Sequence, residues 1–136
     1  MIETPERAVR SLRDRQSSRQ LVNRIAVGDR SAFRCLYATF VKRVRQSAML
    51  SLPQPLHAQA ITSATFLEVW YLAPHHVNRP PAQLRSWITA VAAHRISERV
   101  RTLQTPHMLL DEYDRHVQCQ LAELLSPARP GAAAAG

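Results

Sequence analysis

Between Phe33 and Ala48 the apolar residues return every three or four positions. Phe33, Leu36, Tyr37, Phe40, Val41, Val44 and Ala48 share one face, and an α-helix is the element that presents such a set to a core. Its outer face carries Cys35, Ala38, Lys42 and Gln46. Proline then divides the remainder, because it cannot continue a helix and pushes the residue before it out of helical geometry. Pro53 and Pro55 break the chain after this helix, Pro74, Pro80 and Pro81 break it again, and Pro106 breaks it once more.

Between the breaks, helices are expected over 20–27, closed by Gly28 and followed by a cap at Asp29 or Ser31, then over 56–73, 85–101 and 108–125. The fold class this predicts is all-α, a compact bundle of three to four helices with a C-terminal amphipathic helix. The domain reading is a flexible basic arm at 1–18, a helical domain at 19–101, a linker at 102–107, the amphipathic helix at 108–125, and a disordered Pro/Ala/Gly tail at 126–136.

The helix at 56–73 has an unusual pattern. Ala58, Ile61, Phe66, Val69, Trp70 and Leu72 cover its expected core side, while Ala60, Ala64, Leu67 and Tyr71 form a second stripe opposite. A helix apolar nearly all round wants burial on two faces. Another unclaimed stripe lies at Leu109, Leu110, Tyr113, Val117, Leu121, Leu124 and Leu125, on a helix that also holds Asp111, Glu112, Asp114 and Glu123. Two such stripes in one short chain are expected to meet, in cis or across a homodimer.

The 136 residues suit a single core, and the formal net charge is +8. Within 19–101, twelve basic residues stand against Asp29, Glu68 and Glu98, a net +9. Such a field favours a polyanionic partner, although a solvated arginine surface is the plainer reading of the same numbers. Cys35 and Cys119 are isolated thiols with neither disulfide-framework nor zinc spacing. No apolar run has the length of a membrane span and the first residues are too polar for a signal peptide, so the expected location is cytoplasmic with no membrane partner. No paired carboxylates, activated nucleophile or Gly-rich phosphate loop appears among these residues, so no enzyme, cofactor or metal is expected. The adjacent His75 and His76 lack further ligands.

The segment Arg85 to Arg101 combines an apolar arc of Leu84, Trp87, Ile88 and Val91 with a polar stripe of His94, Glu98 and Arg101, and Arg95 and Arg99 border the arc one turn apart. Its string W-I-x-x-V-A-x-H-x-x-x-E-x-x-R, from Trp87 to Arg101, resembles the last helix of region 2 in bacterial sigma factors of the ECF (extracytoplasmic function) type. Gly28-Asp29-Arg30-Ser31-Ala32-Phe33 with Leu36-Tyr37 is similar to that family's G-D-x-x-A-F-x-x-L-Y opening. Phe66-Leu67-Glu68-Val69-Trp70 resembles its F-L-x-V-W. Three blocks in order, covering roughly residues 19 to 101, carry the resemblance.

The resemblance implies a transcription initiation protein that binds RNA polymerase core, at the clamp helices of the largest subunit, and promoter −10 element DNA. The implied DNA-binding residues are His75, His76, Asn78, Arg79, Arg85, Trp87, His94, Arg95, Glu98, Arg99 and Arg101. Trp87 also continues the core arc, and His94 is equally placed to pair with Glu98 four residues on. Arg95, Arg99 and Arg101 suit phosphate contacts or a solvated rim. Polymerase or partner contact falls to Gln59, Ala60, Ser63, Ala64, Leu67 and Tyr71, and an anti-sigma factor is a further possible partner. In the family this face is acidic, A-E-D-I-T-Q-E-V-F, whereas here Ala58 to Phe66 read AQAITSATF, so the charge-assisted pairs are missing. Residues 126–136 show no second, helix-turn-helix domain. The alternative is a degenerate sigma-like interaction or regulatory module, whose apolar helix face binds a partner, a second copy or its own C-terminal helix.

Overall fold

The computed structural model describes residues 19–77, 84–104 and 110–127, and the fold is all-α. Helix α1 covers 19–26, α2 Arg30–Ser51, α3 Pro55–Leu72, α4 Leu84–Thr102 and α5 Leu110–Leu125; a single 3₁₀ turn, Ala73–His76, follows α3. The expected arm at 1–18, most of the expected tail, and half of the expected linker lie outside the described residues. Among the described residues no helix is long and apolar enough to cross a membrane.

The corner between α1 and α2 is set by three residues. Gly28 takes φ +90, its N–H donates to Ile25 O and the Asp29 N–H donates to Arg24 O, both at 2.9 Å. This pair of bonds is the Schellman closure, which places a left-handed residue just past the helix end. Asp29 then serves both helices: Oδ1 accepts the Ala32 N–H at 3.1 Å as the cap of α2, and Oδ2 accepts Arg24 Nε at 2.8 Å. The Ala32 bond, then the Arg24 bond, hold the carboxyl below its ordinary pKa.

Helix α3 is the hub, in contact with α2, α4 and α5. Nine of its 18 residues are buried: Ala58, Ala60, Ile61, Thr62, Ala64, Thr65, Phe66, Leu67 and Val69. That distribution accounts for its two apolar stripes. The two buried threonines are satisfied internally, Thr62 Oγ1 donating to Ala58 O at 2.7 Å and Thr65 Oγ1 to Ile61 O at 2.8 Å. Against this helix, α2 brings Phe33 and Tyr37. Phe33 meets Trp70 edge-on at 5.2 Å and Tyr37 meets Phe66 at 4.9 Å, separations and angles that aromatic pairs favour. A smaller cluster of Ala48, Leu52, Ala58 and Ile61, with Ile96 and Val100 against it, is separate from the main core.

The C-terminal helix is part of the main core rather than an appendage beside a domain ending at 101. Val117, Leu121 and Leu124 of α5 belong to the same buried cluster as Phe33, Phe66, Ala64, Leu67 and Ile88. The cis arrangement of the two unclaimed stripes is therefore the observed one. Tyr71 and Tyr113 depart from it, at 58% and 48% exposed, because each ring sits near an end of its stripe with a hydroxyl that favours water.

Two substitutions separate packing from backbone geometry. Phe33, fully buried, is expected to lose about 3–5 kcal/mol on Phe33→Ala. Gly28→Ala meets no atom within 4 Å, and its cost, about 1 kcal/mol, comes from the left-handed conformation alone. Urea unfolding of both variants should give that ratio.

Candidate nucleic-acid interface

Helix α4 packs against α3 and α2 and reaches α5 through side chains, and its arginines divide accordingly. Arg95 and Arg99, one turn apart, turn into the seam, while Arg85 and Arg101 are exposed. Arg99 is buried, at 5% exposure. Its two terminal nitrogens grip the Asp114 carboxylate of α5 in a bidentate pair, with one contact at 3.0 Å to Oδ2, the geometry a planar guanidinium matches best. Arg99 Nη1 also lies 3.1 Å from Nδ1 of His57 on α3. Arginine has no acceptor, so His57 Nδ1 must accept, and the imidazole is then the Nε2-protonated tautomer.

Arg95 bridges the other two helices. Its Nη2 is 3.2 Å from Glu68 Oε1 and its Nε 3.4 Å from Oε2, while Nη1 is 3.4 Å from the Tyr113 hydroxyl. Burial disfavours the Arg95 charge, but the hydrogen bond and charge of Glu68, with a smaller part from Tyr113, outweigh it and raise its pKa. Both arginines line a half-open cleft of about 280 Å³ together with Ile61, Ala64, Leu110 and Tyr113.

The far end of α5 is held by α2. Arg30 Nη1 approaches Glu123 O at 3.5 Å and Arg34 Nη1 approaches Ser126 O at 3.4 Å. These are long for hydrogen bonds, and their main effect is to set positive charge at the negative end of the helix dipole. Asp111 and Glu112 occupy the first turn of α5, where the dipole favours acid.

The remaining expected DNA-binding residues are distributed as follows. His94 and Glu98 form the exposed i, i+4 pair, with Nε2 to Oε1 at 3.2 Å. His76 and Trp87 lie ring against ring at 4.5 Å, tilted by 35°, and Trp87 packs its other side on the core, so it takes both of its expected roles in part. His75 is exposed beside them. Asn78 and Arg79 lie outside the described residues.

Two expectations need correction. Of the three α4 arginines assigned to phosphate, only Arg101 is exposed; Arg95 is paired with Glu68 of α3 and the Tyr113 hydroxyl, and Arg99 with Asp114 of α5. Of the expected partner-contact residues, Ala60, Ala64 and Leu67 are buried, at 3%, 5% and 8% exposure, because the α3 stripe is packed inside the bundle, Ala64 and Leu67 against the α5 anchors. Gln59 and Tyr71 are exposed and Ser63 is half-buried. The residues missed by sequence reasoning are His57, Glu68, Tyr113 and Asp114. A surplus of acid on α5 facing a basic body was the available signal for the last, and nothing in the sequence pointed to His57.

No protein family, curated protein or solved structure matches this chain. The likeness to ECF sigma factors therefore rests on its own residues.

The buried ion pair makes a sharp stability test. Asp114→Ala leaves the Arg99 charge enclosed with only His57 and should cost about 3 kcal/mol, whereas the double change Arg99→Met with Asp114→Leu should recover most of that loss. A urea series on single and double variants measures it; equal losses in the two would contradict the pairing.

Proposed function

We propose that this chain is a non-catalytic, sigma region 2-like protein of transcription initiation that binds nucleic acid along the exposed edge of α4. The observation that carries the reading is that the three motif blocks are in mutual contact. Phe33 and Tyr37 of the first touch Trp70 and Phe66 of the second, and Ile88 and Trp87 of the third join the same cluster. Similarity of scaffold does not by itself establish activity, so the surface must also suit the ligand. Here the exposed His75 and the outer rim of the His76–Trp87 pair supply ring surface, and Arg85 and Arg101 offer charge to a phosphate backbone, the combination that single strands require.

Cytoplasmic location and RNA polymerase core as a partner belong to the same proposal. Docking to polymerase clamp helices through the α3 stripe requires that stripe to be open, and α5 packs against it. This observation favours a second reading, an interaction module regulated by its own C-terminal helix.

Binding of purified protein to fork-junction DNA at two salt concentrations distinguishes the two. With about four phosphates neutralised, affinity should fall about a hundredfold between roughly 50 and 200 mM salt. A flat response would remove the nucleic-acid reading and leave the interaction module.

A further inference from the structure

The two arginines closed into the seam are held in a way that invites exchange. Asp114 offers Arg99 two oxygens in one plane, as a phosphate does. The Tyr113 hydroxyl caps Arg95. Both replaceable partners sit on α5, one residue apart, and α5 is the last helix among the described residues, while Glu68, the remaining Arg95 partner, sits on α3. On α5 the acids Asp111, Glu112 and Asp114 gather in the first turn and a half, next to the half-open cleft that Arg95, Arg99 and Tyr113 line.

We propose that α5 is an internal stand-in for a nucleic-acid backbone: Asp114 and Tyr113 occupy Arg99 and Arg95 until phosphates replace them, and α5 leaves its seat when they do. This rests on the nucleic-acid reading above and adds how the site is regulated. Seven residues of chain separate Thr102 from Leu110, so α5 competes from a tethered position, at an effective concentration on the order of millimolar. A free strand must displace it, and affinity in the closed state is reduced accordingly. Displacement has a second consequence. The stripe containing Ala64 and Leu67 loses the cover of Val117, Leu121 and Leu124, so nucleic-acid binding and exposure of the apolar α3 face become one event. By linkage, a partner that takes the α3 face strengthens nucleic-acid binding by the same factor.

The chain provides its own reporter. Its two cysteines are Cys35 on α2 and Cys119 on α5, both exposed, so a donor and an acceptor dye on these thiols read the seating of α5 without any substitution. A fluorescein-free single-stranded oligonucleotide is titrated into the labelled full chain, and energy transfer should fall as the strand binds. Separately, a fluorescein-labelled strand is titrated with the wild type, with Asp114→Asn, and with Leu121→Ala, which loosens α5 without altering charge. Both variants should bind on the order of tenfold more tightly. Against log salt, the three slopes should be alike, because the bound state makes the same phosphate contacts in each and only the cost of displacing α5 differs. Binding with unchanged transfer, or variants that bind no better than wild type, overturns the displacement and leaves the nucleic-acid reading intact. No binding at low salt by any of the three overturns both. The transfer measurement decides the matter even where a variant does not fold.

Discussion

Helix α3 offers water only a narrow side, at Gln59 and Ser63. Its two apolar stripes, with a net run of small and aliphatic residues from Ala58 to Val69, can be buried only if other helices surround it, and the contacts with α2, α4 and α5 do so. Every other placement follows from that demand. α2 supplies the aromatic wall through Phe33 and Tyr37, α4 the aliphatic wall through Leu84, Ile88 and Ala92, and α5 closes the remaining side with Val117, Leu121 and Leu124. Removing α5 would expose a stripe of the hub, so its seat is set by the hydrophobic effect and its alignment by the charged groups around it.

Those charged groups change the meaning of the chain's basicity. A net charge of +8 reads first as an outward field. Yet Arg24 is tied to Asp29, Arg95 to Glu68 and Arg99 to Asp114, while Arg30 and Arg34 face the carbonyl end of α5. Five arginines thus act within the fold, holding helix corners and helix ends together. The outward field is left to others, among them Lys42, Arg43, Arg45, Arg85 and Arg101, all exposed.

The helices themselves were legible because their signals are local. Apolar spacing placed α2 and α4, Gly28 and Asp29 fixed the first corner, and Pro53 and Pro55 marked the break before α3, which takes in Pro55 as its first residue. The two-sided pattern of α3 and the orphan stripe of α5 together foretold their contact. What the sequence could not convey was which arginines that contact would enclose. Arg99 and Asp114 lie 15 residues apart, and His57 and Arg99 lie 42 apart. Such pairings depend on the rotation of α5 about its axis, which an apolar stripe several residues wide leaves undetermined. Tyr113 illustrates the point: it belongs to the stripe by spacing, but its hydroxyl and its position in the first turn bring it to the rim beside Arg95.

The grip of arginines from two different helices on opposite ends of α5 also governs how that helix can move. Sliding by one turn, about 5.4 Å, would pull Asp114 away from Arg99 of α4 and the terminal carbonyls away from Arg30 and Arg34 of α2 together. Intermediate positions are thereby disfavoured. The helix is expected to behave as a latch with two settings, and a single equilibrium constant, rather than a graded drift, describes how often the seam stands open.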